Sequence, residues 1–348
     1  MKLVIGFITY NDSTAKYLPY FLPSLKEALD FAFGHYDAVD NYKILIFDNS
    51  ELQNNANATY VKNSFSELEL IWSGKNLGFA GAYNPMIEKA IDLGAEYFLM
   101  LNPDMTIKPD SILRLIENLE VNKDLGAVVP RILKWDFAHL KTTDIVDSDG
   151  IAMTVSHRAY DSDQGLNFNK LSADSSMVFG FTGAAALFRI TALQDVAFSL
   201  YGKKEYLDEL MFMYKEDVDL SYRLQLAGHK IMLCPSAIVY HDRSASPLGN
   251  SWWQIIKNRK NKSRQVREWS FLNQWILVGR YSTLPWNFRI KFKIWLYQLT
   301  ATFFAAIFES YLLKQLAFLS QQKEEIKLKS CQLKLKVSLS DIEKVLKK

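Results

Sequence analysis

Residues 97–104 read Tyr-Phe-Leu-Met-Leu-Asn-Pro-Asp, an apolar run that stops abruptly at Asn102-Pro103-Asp104. A buried strand that ends on a carboxylate places this group at the edge of a parallel sheet, where open α/β folds bind ligands. A second acidic cluster, Glu216-Asp217-Val218-Asp219, follows later in the chain, and another apolar run ends at His241. Together these residues predict an enzyme that uses a divalent cation and a general base.

Short apolar segments alternate with amphipathic segments through the first two thirds of the chain. This alternation predicts a mostly parallel, doubly wound α/β sheet flanked by helices. We expect strands at 3–9, 43–47, 68–73, 96–101, 126–129, 181–187 and 230–239, and helices at 16–32, 56–65, 78–93, 110–121 and 213–226. Residues 134–175 are polar and acidic, which predicts a long irregular loop; in a compact domain such a loop is usually functional.

The composition of the chain changes near residue 250. Residues 252–348 hold 19 Lys and Arg against 6 Asp and Glu, and six of the eight tryptophans. We therefore divide the chain into a catalytic domain, 1–250, and a basic, Trp-rich helical extension, 251–348. Basic and aromatic residues together are typical of a segment that lies on an anionic membrane surface. The acidic remainder of the chain disfavours nucleic acid as the partner.

The extension has two structural interpretations. Residues 289–313 could form a packed helical hairpin, or an interfacial segment with aromatic anchors. The longest uncharged run in the extension, Ile294–Phe308, has 15 residues, which is fewer than the ~20 that a membrane-spanning helix needs.

The cysteines and the first residues bear on the cellular compartment. Cys234 and Cys331 form neither a CxxC motif nor a zinc-site spacing, which favours a reducing, cytoplasmic compartment. Residues 3–8 read directly as a first core strand, so we expect no signal peptide.

Each motif also has a purely structural interpretation. Asn, Pro and Asp are turn residues, so Asn102-Pro103-Asp104 alone fits a turn. Acidic residues stabilise helix N-termini, which fits Glu216–Asp219. A single histidine after a strand, such as His241, is often structural, whereas Asp104 as a co-ligand would make the pair suitable for Mn²⁺. Gly74–Gly81 is glycine-rich, but it matches neither GxGxxG nor GxxxxGK[ST].

Taken in order, these segments resemble family 2 inverting glycosyltransferases of the GT-A fold, in particular the rhamnosyltransferase-like members that build bacterial cell-surface polysaccharide. The resemblance spans roughly residues 1–245. It is carried by Val4–Asn11, Phe47–Ser50, Lys75–Ala80, Leu101–Asp104, Gly183–Ala184 and Phe212–Leu224, followed by Gly228 and His241. It implies a GT-A fold, which is a Rossmann-like, mostly parallel central sheet flanked by helices, here with a C-terminal helical extension.

The resemblance also implies roles for residues at matching positions. Asp217 would be the catalytic base that deprotonates the acceptor hydroxyl, and Glu216 would orient the acceptor. Asp104 and His241 would hold Mg²⁺ or Mn²⁺ against the donor diphosphate. Nucleotide and substrate contacts, or their direct support, would come from Thr9, Tyr10, Asp48, Asn76, Gly78, Phe79, Asn102 and Arg223. Asn102 stands where the family's DxD motif has its first aspartate, so we expect weaker metal binding, or a metal held mainly by Asp104, His241 and phosphate oxygens.

By the same resemblance, the protein would transfer a sugar, with inversion, from a nucleotide diphosphate donor to a hydroxyl of a saccharide acceptor. The favoured donor is dTDP-L-rhamnose, and UDP carriers of galactofuranose or N-acetylglucosamine stay open. The basic tail fits a polyprenyl-linked acceptor and a peripheral location at the inner face of the plasma membrane.

Two other classes of protein stay open. A nucleotidyltransferase normally carries a Gly-rich, Arg-containing phosphate loop after its first strand, and this chain has Tyr10-Asn11-Asp12-Ser13 there. A non-catalytic saccharide-binding or scaffold protein would be indicated by a broken acidic cluster, whereas Glu216–Asp219 is intact.

Overall fold

The computed structural model describes residues 2–35, 41–64, 68–243 and 262–347. The strands are β1 (Lys2–Thr9), β2 (Asn41–Asp48), β3 (Leu68–Trp72), β4 (Tyr97–Leu101), β5 (Met105–Ile107), β6 (Leu125–Asp136), β7 (Lys141–Ser148), β8 (Ile151–Met153), β9 (Ala159–Asp161), β10 (Ser176–Val178), β11 (Ala185–Arg189), β12 (Phe198–Leu200), β13 (Lys203–Glu205) and β14 (Lys230–His241). Most of them form one sheet in the order β10-β14-β6-β11-β4-β1-β2-β3, with β5 on β14 and β7 on β6.

Helices flank this sheet and form the C-terminal part of the chain. They are α1 (Asn11–Ala15), α2 (Leu18–His35), α3 (Ala56–Lys62), α4 (Gly78–Asp92), α5 (Ser111–Val121), α6 (Ile190–Val196), α7 (Glu216–Leu226), α8 (Arg264–Tyr281), α9 (Phe288–Phe308), α10 (Gln315–Gln321), α11 (Lys323–Ser330) and α12 (Leu339–Val345).

The part of the sheet built from β1 to β4 is parallel, as predicted. Thr9 pairs with Asp48 and Asp48 with Trp72, so the carboxyl ends of β1, β2 and β3 meet at one edge. β4 lies parallel to β1 on its other side, and its end leads directly into Asn102. Ligand-binding side chains therefore gather at this edge, as in other open α/β sheets.

β11 departs from the parallel prediction, because it runs antiparallel to both of its neighbours, β4 and β6. The chain reaches it through residues 137–184 rather than through a helical crossover, and an antiparallel pair needs no such crossover. β14 is again parallel to β6 and ends at His241. Met105 of β5 lies opposite His241, which brings Asp104 beside this histidine.

Side chains of the central strands alternate between two apolar layers. In β4, Tyr97, Leu99 and Leu101 belong to the core beneath α2 and α5, whereas Phe98 and Met100 belong to the core beneath α4 and α6. Because both faces of the sheet are covered, the strand reads as a continuous apolar run rather than as an alternating one.

The prediction of an irregular loop at 134–175 was wrong. β6 continues to Asp136, and β7, β8 and β9 lie within this range. Two of the acidic residues that suggested a loop are buried partners of cationic or imidazole groups. Asp149 accepts from Arg131 Nε at 3.0 Å and from Arg131 Nη2 at 2.7 Å, and Asp147 Oδ2 lies 3.0 Å from His241 Nδ1. A carboxylate with such a partner can be buried in a strand, and the local sequence does not show the partner.

The described part of the extension, residues 262–347, is helical, as predicted. Leu272 and Ile276 of α8 share an apolar core with Val218 and Tyr222 of α7, so the extension packs directly on the acidic helix. The predicted boundary near residue 250 lies within 244–261, outside the described residues.

The described helices differ in length and in apolar character. None of them is long and apolar enough to cross a bilayer alone. α9 passes the length and composition test only together with Ser310–Gln321, to which it is joined at a bend of 120°.

Candidate active site

Thr9, Tyr10 and Asp48 lie together at the carboxyl ends of β1 and β2. Thr9 is fully buried, and its Oγ1 has no hydrogen-bond partner in the described part of the chain. Asp48 is buried too. Its Oδ1 accepts from the Ser50 backbone N at 3.1 Å and from Ser50 Oγ at 2.6 Å, and its Oδ2 accepts from Asn55 Nδ2 at 2.6 Å. Near neighbours thus hold Asp48 in place, beside an unsatisfied hydroxyl.

A tight turn at Gly78 closes the next part of the edge. Gly78 has a φ of 72°, and a Cβ added there would lie 2.1 Å from the Phe212 backbone O, so a larger residue does not fit. The Phe79 backbone N donates to the same oxygen at 2.8 Å. Asn76 Oδ1 accepts from the Gly78 backbone N at 2.9 Å. The Asn76 side chain therefore stabilises the turn to which it belongs.

Asn49 connects this turn to β2 through hydrogen bonds, and we did not predict a role for it from the sequence. Its Nδ2 donates to the Gly78 O at 2.9 Å, and its Oδ1 accepts from the Leu77 backbone N at 3.1 Å. Its own backbone N donates to the Thr9 O at 2.9 Å. The position of Asn49 directly after Asp48 was the local signal that could have identified it.

Asp104 and His241 come together, as the sequence analysis expected. His241 Nε2 lies 3.2 Å from Asp104 Oδ1, and this buried oxygen has no other partner among the described residues. On the other side of the ring, His241 Nδ1 lies 3.0 Å from Asp147 Oδ2. Burial lowers the pKa of His241, but the carboxylates of Asp104 and Asp147 outweigh this effect and raise it to about 9.

The chemistry of this pair fits a divalent cation. An unsatisfied carboxylate oxygen stands beside an imidazole nitrogen, and a second carboxylate holds the far side of the ring, as is common for histidines that bind metals. Within the described ranges, no three His, Cys, Asp or Glu side chains converge as a complete metal site. Asn102 lies nearby along the chain, and its backbone N donates to the Ala184 O at 2.8 Å.

Asp217 stands at the start of α7, where two backbone donors hold its carboxylate. Asp217 Oδ2 accepts from the Gly183 N at 3.0 Å, and its Oδ1 accepts from the Val218 N at 2.8 Å. The residue is half-buried. Burial raises the pKa of Asp217, and these two N–H groups oppose that shift. A positioned carboxylate of raised pKa is suited to general base catalysis.

Glu216 is more deeply placed than Asp217. It is 4% exposed, and its Oε2 has no hydrogen-bond partner in the part of the chain that the structure describes. Burial, followed by the charges of Asp217 and Asp219, raises the pKa of Glu216 well above its ordinary value. This carboxyl group therefore favours its protonated form more strongly than an exposed glutamate does.

The residues just before α7 adopt an unusual backbone. Tyr214 has a φ of 72° and Lys215 a φ of 71°, a left-handed conformation that bulky residues rarely adopt. Asn273 of α8 stabilises this segment, because its Nδ2 donates to the Met213 O at 2.9 Å and to the Tyr214 O at 2.6 Å. The extension thereby helps to set the direction in which α7 begins. No local sequence signal connects Asn273 with this site.

Arg223 supports the acidic helix from inside the protein. Its Nε donates to Asp219 Oδ2 at 2.8 Å, its Nη1 to the Val196 O at 2.7 Å and its Nη2 to the Tyr206 O at 2.6 Å. Arg223 is 3% exposed, so its contacts with the protein occupy its guanidinium group.

A chain of buried charges continues from Asp219 into the extension. Arg280 of α8 binds Asp219 through Nη1, and its Nη2 lies 2.6 Å from Asp208 Oδ2. Lys329 of α11 reaches Asp208 Oδ1 at 2.6 Å and Glu205 Oε2 at 2.8 Å. Arg280, Asp208, Asp219 and Lys329 are fully buried. Two cations of the extension thus neutralise carboxylates that lie at and beneath α7.

Arg243 lies two residues after His241 and was not singled out from the sequence. Its Nη1 is 2.6 Å from Asp161 Oδ2 and 3.6 Å from Asp147 Oδ1. Burial opposes the charge of Arg243, but the carboxylates of Asp161, Asp147 and Asp217 together raise its pKa. Arg243 therefore places a positive charge near the carboxylates of Asp147, Asp161 and Asp217.

Comparison with protein families gives a match over more than half of the chain. The family model described as glycosyl transferase family group 2 matches residues 97–320. The match begins with β4, includes α7 and His241, and continues into the extension. No curated protein sequence matches this chain.

Solved structures were compared with the fold. The crystal structure of GalNAc-T7 with UDP, GalNAc and Mn²⁺ has a TM-score of 0.52 and 11% identity, over 84% of this chain and 53% of that chain. This protein thus spans about half the length of GalNAc-T7, and at this identity the likeness shows the GT-A fold alone. The structure of S. aureus TarS 1-349 in complex with UDP has a TM-score of 0.44 and 13% identity, over 83% of this chain and 76% of that chain.

Proposed function

The chain belongs to glycosyl transferase family group 2, and we propose that it transfers a sugar, with inversion, from a nucleotide diphosphate donor to a hydroxyl of a saccharide acceptor. One observation carries this proposal. Two consecutive residues, Gly183 and Ala184, join the two acidic parts of the site: the Gly183 N donates to Asp217, and the Ala184 O accepts from the Asn102 N. The candidate base is thereby held in register with the segment that carries Asp104.

Asp217 is the proposed catalytic base. Its carboxylate removes the proton of the acceptor hydroxyl while that oxygen attacks the anomeric carbon of the donor sugar. The bond from this carbon to the diphosphate breaks on the opposite side, so the anomeric configuration inverts and the proton remains on Asp217. Glu216, buried beside the base, orients the acceptor.

Asp104 and His241 are the proposed holders of Mg²⁺ or Mn²⁺, with donor phosphate oxygens as further ligands. When bound, such an ion supplies Lewis-acid stabilisation of the charge that develops on the diphosphate. Asn102 stands where the DxD motif of the family that the sequence resembles has its first aspartate. The weaker affinity of an amide for a hard cation fits a metal held mainly by the Asp104–His241 pair and the donor.

The nucleotide is proposed to bind along the edge formed by Thr9, Tyr10, Asp48 and the turn Asn76–Phe79. The unsatisfied Thr9 Oγ1 and the buried Asp48 carboxylate supply polar contacts for a base or a ribose. We favour dTDP-L-rhamnose as the donor, with UDP-galactofuranose and UDP-N-acetylglucosamine as the alternatives. The likeness in fold to GalNAc-T7, whose structure contains UDP, GalNAc and Mn²⁺, supports a donor of the nucleotide-sugar class.

The acceptor is proposed to be a saccharide on a polyprenyl carrier, at the inner face of the plasma membrane. This location is consistent with the division of the chain into a catalytic part, 1–250, and a basic extension, 251–348. We propose that the protein acts in the synthesis of cell-surface polysaccharide.

Calorimetric titration with dTDP and with UDP, each in Mn²⁺ and in EDTA, tests the donor site. We expect one nucleotide to bind in Mn²⁺ and to lose at least about tenfold in affinity in EDTA. Asp104→Asn should remove this metal-dependent part, whereas Asp110→Asn, at an exposed helix end, should not. If folded protein binds neither nucleotide under either condition, the proposed donor site is wrong.

Asp217→Asn tests the base. Transfer should fall by about 10²–10⁴-fold, which is the usual contribution of a general base, while nucleotide affinity stays within about twofold of the wild-type value. Asp12→Asn is the control, because it removes a carboxylate from an exposed position outside the proposed site. Unchanged transfer by Asp217→Asn, or an equal loss of transfer and nucleotide binding, would refute the role of Asp217.

A further inference from the structure

Helix α9 is apolar on two opposite faces. Ile290, Ile294, Gln298 and Ala305 form the buried face, and the two isoleucines belong to the apolar core shared with α7 and α8. The opposite face, here called the outer face of α9, consists of large side chains that are 43–81% exposed: Phe288, Phe292, Trp295, Leu296, Leu299, Phe303 and Ile307. A large exposed apolar patch marks an interaction site.

The spacing of the outer face follows the helix. Positions 288, 292, 295, 299 and 303 are separated by four, three, four and four residues, which keeps them on one side of the helix. With a rise of ~1.5 Å per residue, this helix of 21 residues is about 31 Å long. Other large exposed apolar side chains, such as Leu52, Val121 and Tyr201, lie in separate elements. The outer face is therefore a continuous stripe.

Basic residues border this stripe. At 100° per residue, Lys291 lies along one edge, and Arg289 and Lys293 lie along the other. All three side chains are exposed, and none pairs with a carboxylate in the described ranges. Residues 281–308 contain no Asp or Glu. The stripe thus has a positive border without an internal counter-charge.

We propose that the outer face of α9 docks this protein on an anionic lipid bilayer, with the helix lying in the plane of the interface. Phe292, Trp295 and Phe303 would enter the boundary between headgroups and acyl chains, where aromatic side chains are favoured. Arg289, Lys291 and Lys293 would contact lipid phosphates. The buried face would keep its contacts with α7 and α8, so docking requires no unfolding of the helix.

Charge favours a bilayer over a second copy of the chain as the occupant of this face. A self-contact through α9 would offer no carboxylate of that helix to the three cations, whereas an anionic lipid surface supplies one negative charge per headgroup. A spanning arrangement is not favoured either, because α9 needs the segment bent by 120° to reach the required apolar length. This docking proposal does not depend on the proposed reaction.

Co-sedimentation of the full-length protein with vesicles tests the proposal. Vesicles of phosphatidylcholine alone and of mixed phosphatidylcholine and phosphatidylglycerol are compared. We expect the triple variant Phe292→Ser, Leu299→Ser, Phe303→Ser to bind mixed vesicles on the order of a hundredfold more weakly than the wild type. The matched control Leu52→Ser, Val121→Ser, Tyr201→Ser removes three exposed apolar side chains elsewhere and should bind as the wild type does.

Two further variants separate the apolar and the charged contributions. Replacing Arg289, Lys291 and Lys293 by Gln should weaken binding to the mixed vesicles on the order of a hundredfold at low salt, with little effect on phosphatidylcholine vesicles. Brominated lipids should quench the tryptophan fluorescence of the wild-type protein more than that of the Trp295→Phe variant, because Trp295 lies on the outer face. Equal quenching of the two proteins would contradict the proposed orientation.

Self-association is measured in the same samples by light scattering. If the wild type is a dimer, the triple Ser variant a monomer, and vesicle binding equal for both, the outer face joins two copies and the proposal is overturned. Resistance of bound protein to alkaline carbonate extraction would indicate insertion across the bilayer and would also overturn it. Nucleotide titration of the triple Ser variant distinguishes a failure of the docking proposal from a failure of the proposed donor site. The variant should bind the nucleotide as the wild type does, because its substitutions lie outside the donor site.

Discussion

The two sides of the candidate site are supported in different ways. On the donor side, which comprises Thr9, Asp48 and the turn Asn76–Phe79, the buried carboxylate of Asp48 is satisfied close by in the chain: its partners are Ser50 and Asn55. On the base side, Glu216–Asp219, the near partners are the Val218 N and Arg223, and the remaining partners are distant in the sequence. Arg280 binds Asp219 from 61 residues away, and Asn273 holds the segment that precedes α7.

This difference separates what the sheet edge provides from what the extension provides. The donor side needs the strand ends and the residues that immediately follow them. The base side needs two cations and an amide from beyond residue 262. We therefore expect damage to the extension to impair the proposed base before it impairs nucleotide binding, and the following variants test this difference.

The largest effect is expected for Arg280→Met. It removes one of the two cations that bind each of the buried carboxylates Asp219 and Asp208, so that only Arg223 and Lys329 remain for them. Breaking a buried pair in this way typically costs about 3–5 kcal/mol of unfolding free energy. Arg264→Met removes an exposed arginine from the same helix, paired with Glu268, and should cost less than about 1 kcal/mol. Chemical denaturation measures both. Equal losses would show that the buried network does not support α7.

A smaller loss of stability, with a selective loss of activity, is expected for Asn273→Ala. The Met213 and Tyr214 carbonyls lose their side-chain donor, which costs about 1–3 kcal/mol, and the start of α7 is less well fixed. Transfer should fall at least tenfold in kcat (about 1.4 kcal/mol) with nearly unchanged nucleotide affinity. Gln274→Ala is the matched control, because Gln274 donates to the His157 O at 3.1 Å and not to the segment that precedes α7. If both variants lose kcat equally, Asn273 has no special positioning role.

A pH-dependent effect is expected for Glu216→Gln. The folded-state pKa of Glu216 is raised, so the folded protein binds this proton more tightly than the unfolded chain, and stability falls as the pH rises above the ordinary range of glutamate. The neutral amide avoids this cost. The gain in melting temperature should therefore be larger at about pH 8 than at about pH 4. Glu117→Gln, at a more exposed position, should show no such trend; a pH-independent gain for Glu216→Gln would contradict the assignment.

The smallest effect is expected for Ser50→Ala on the donor side. It removes the hydroxyl that donates to Asp48 Oδ1, while the Ser50 backbone N and Asn55 still donate to this carboxylate. The unfolding free energy should fall by about 1 kcal/mol, with a modest loss of nucleotide affinity and no separate loss of kcat. A loss of kcat without a loss of nucleotide affinity would show that Ser50 supports the base side, and it would contradict the separation of the two sides.

Much of the fold could be predicted because its signals are local. The apolar run Tyr97–Leu101 and the polar corner after it identify a buried strand and the edge of the sheet. Helix α7 was expected at 213–226 and lies at Glu216–Leu226, since its end is marked by Gly228, which has a φ of 83°. Asp104 and His241 were expected as a pair, and in the structure His241 Nε2 lies 3.2 Å from Asp104 Oδ1.

The features that escaped prediction depend on partners distant in the sequence. Asp147 and Asp149 read as loop residues because Arg131 and His241 are not visible as their neighbours. β11 was expected to follow the parallel pattern, but no helix precedes it to reverse the direction of the chain. Asn273 lies on a helix whose composition indicates only a basic extension. In each case, the deciding contact forms after the chain has folded back on itself.

The buried charges described above also bear on the order of folding. Synthesis proceeds from the N-terminus, so the strands β1 to β4 and the donor edge are complete long before Arg280 and Lys329 leave the ribosome. Until then, Asp208 lacks both of its cationic partners, and Asp219 has only Arg223. The helix that carries the proposed base should therefore become ordered last, after nearly the whole chain has been made, so that incomplete chains would lack an ordered Asp217.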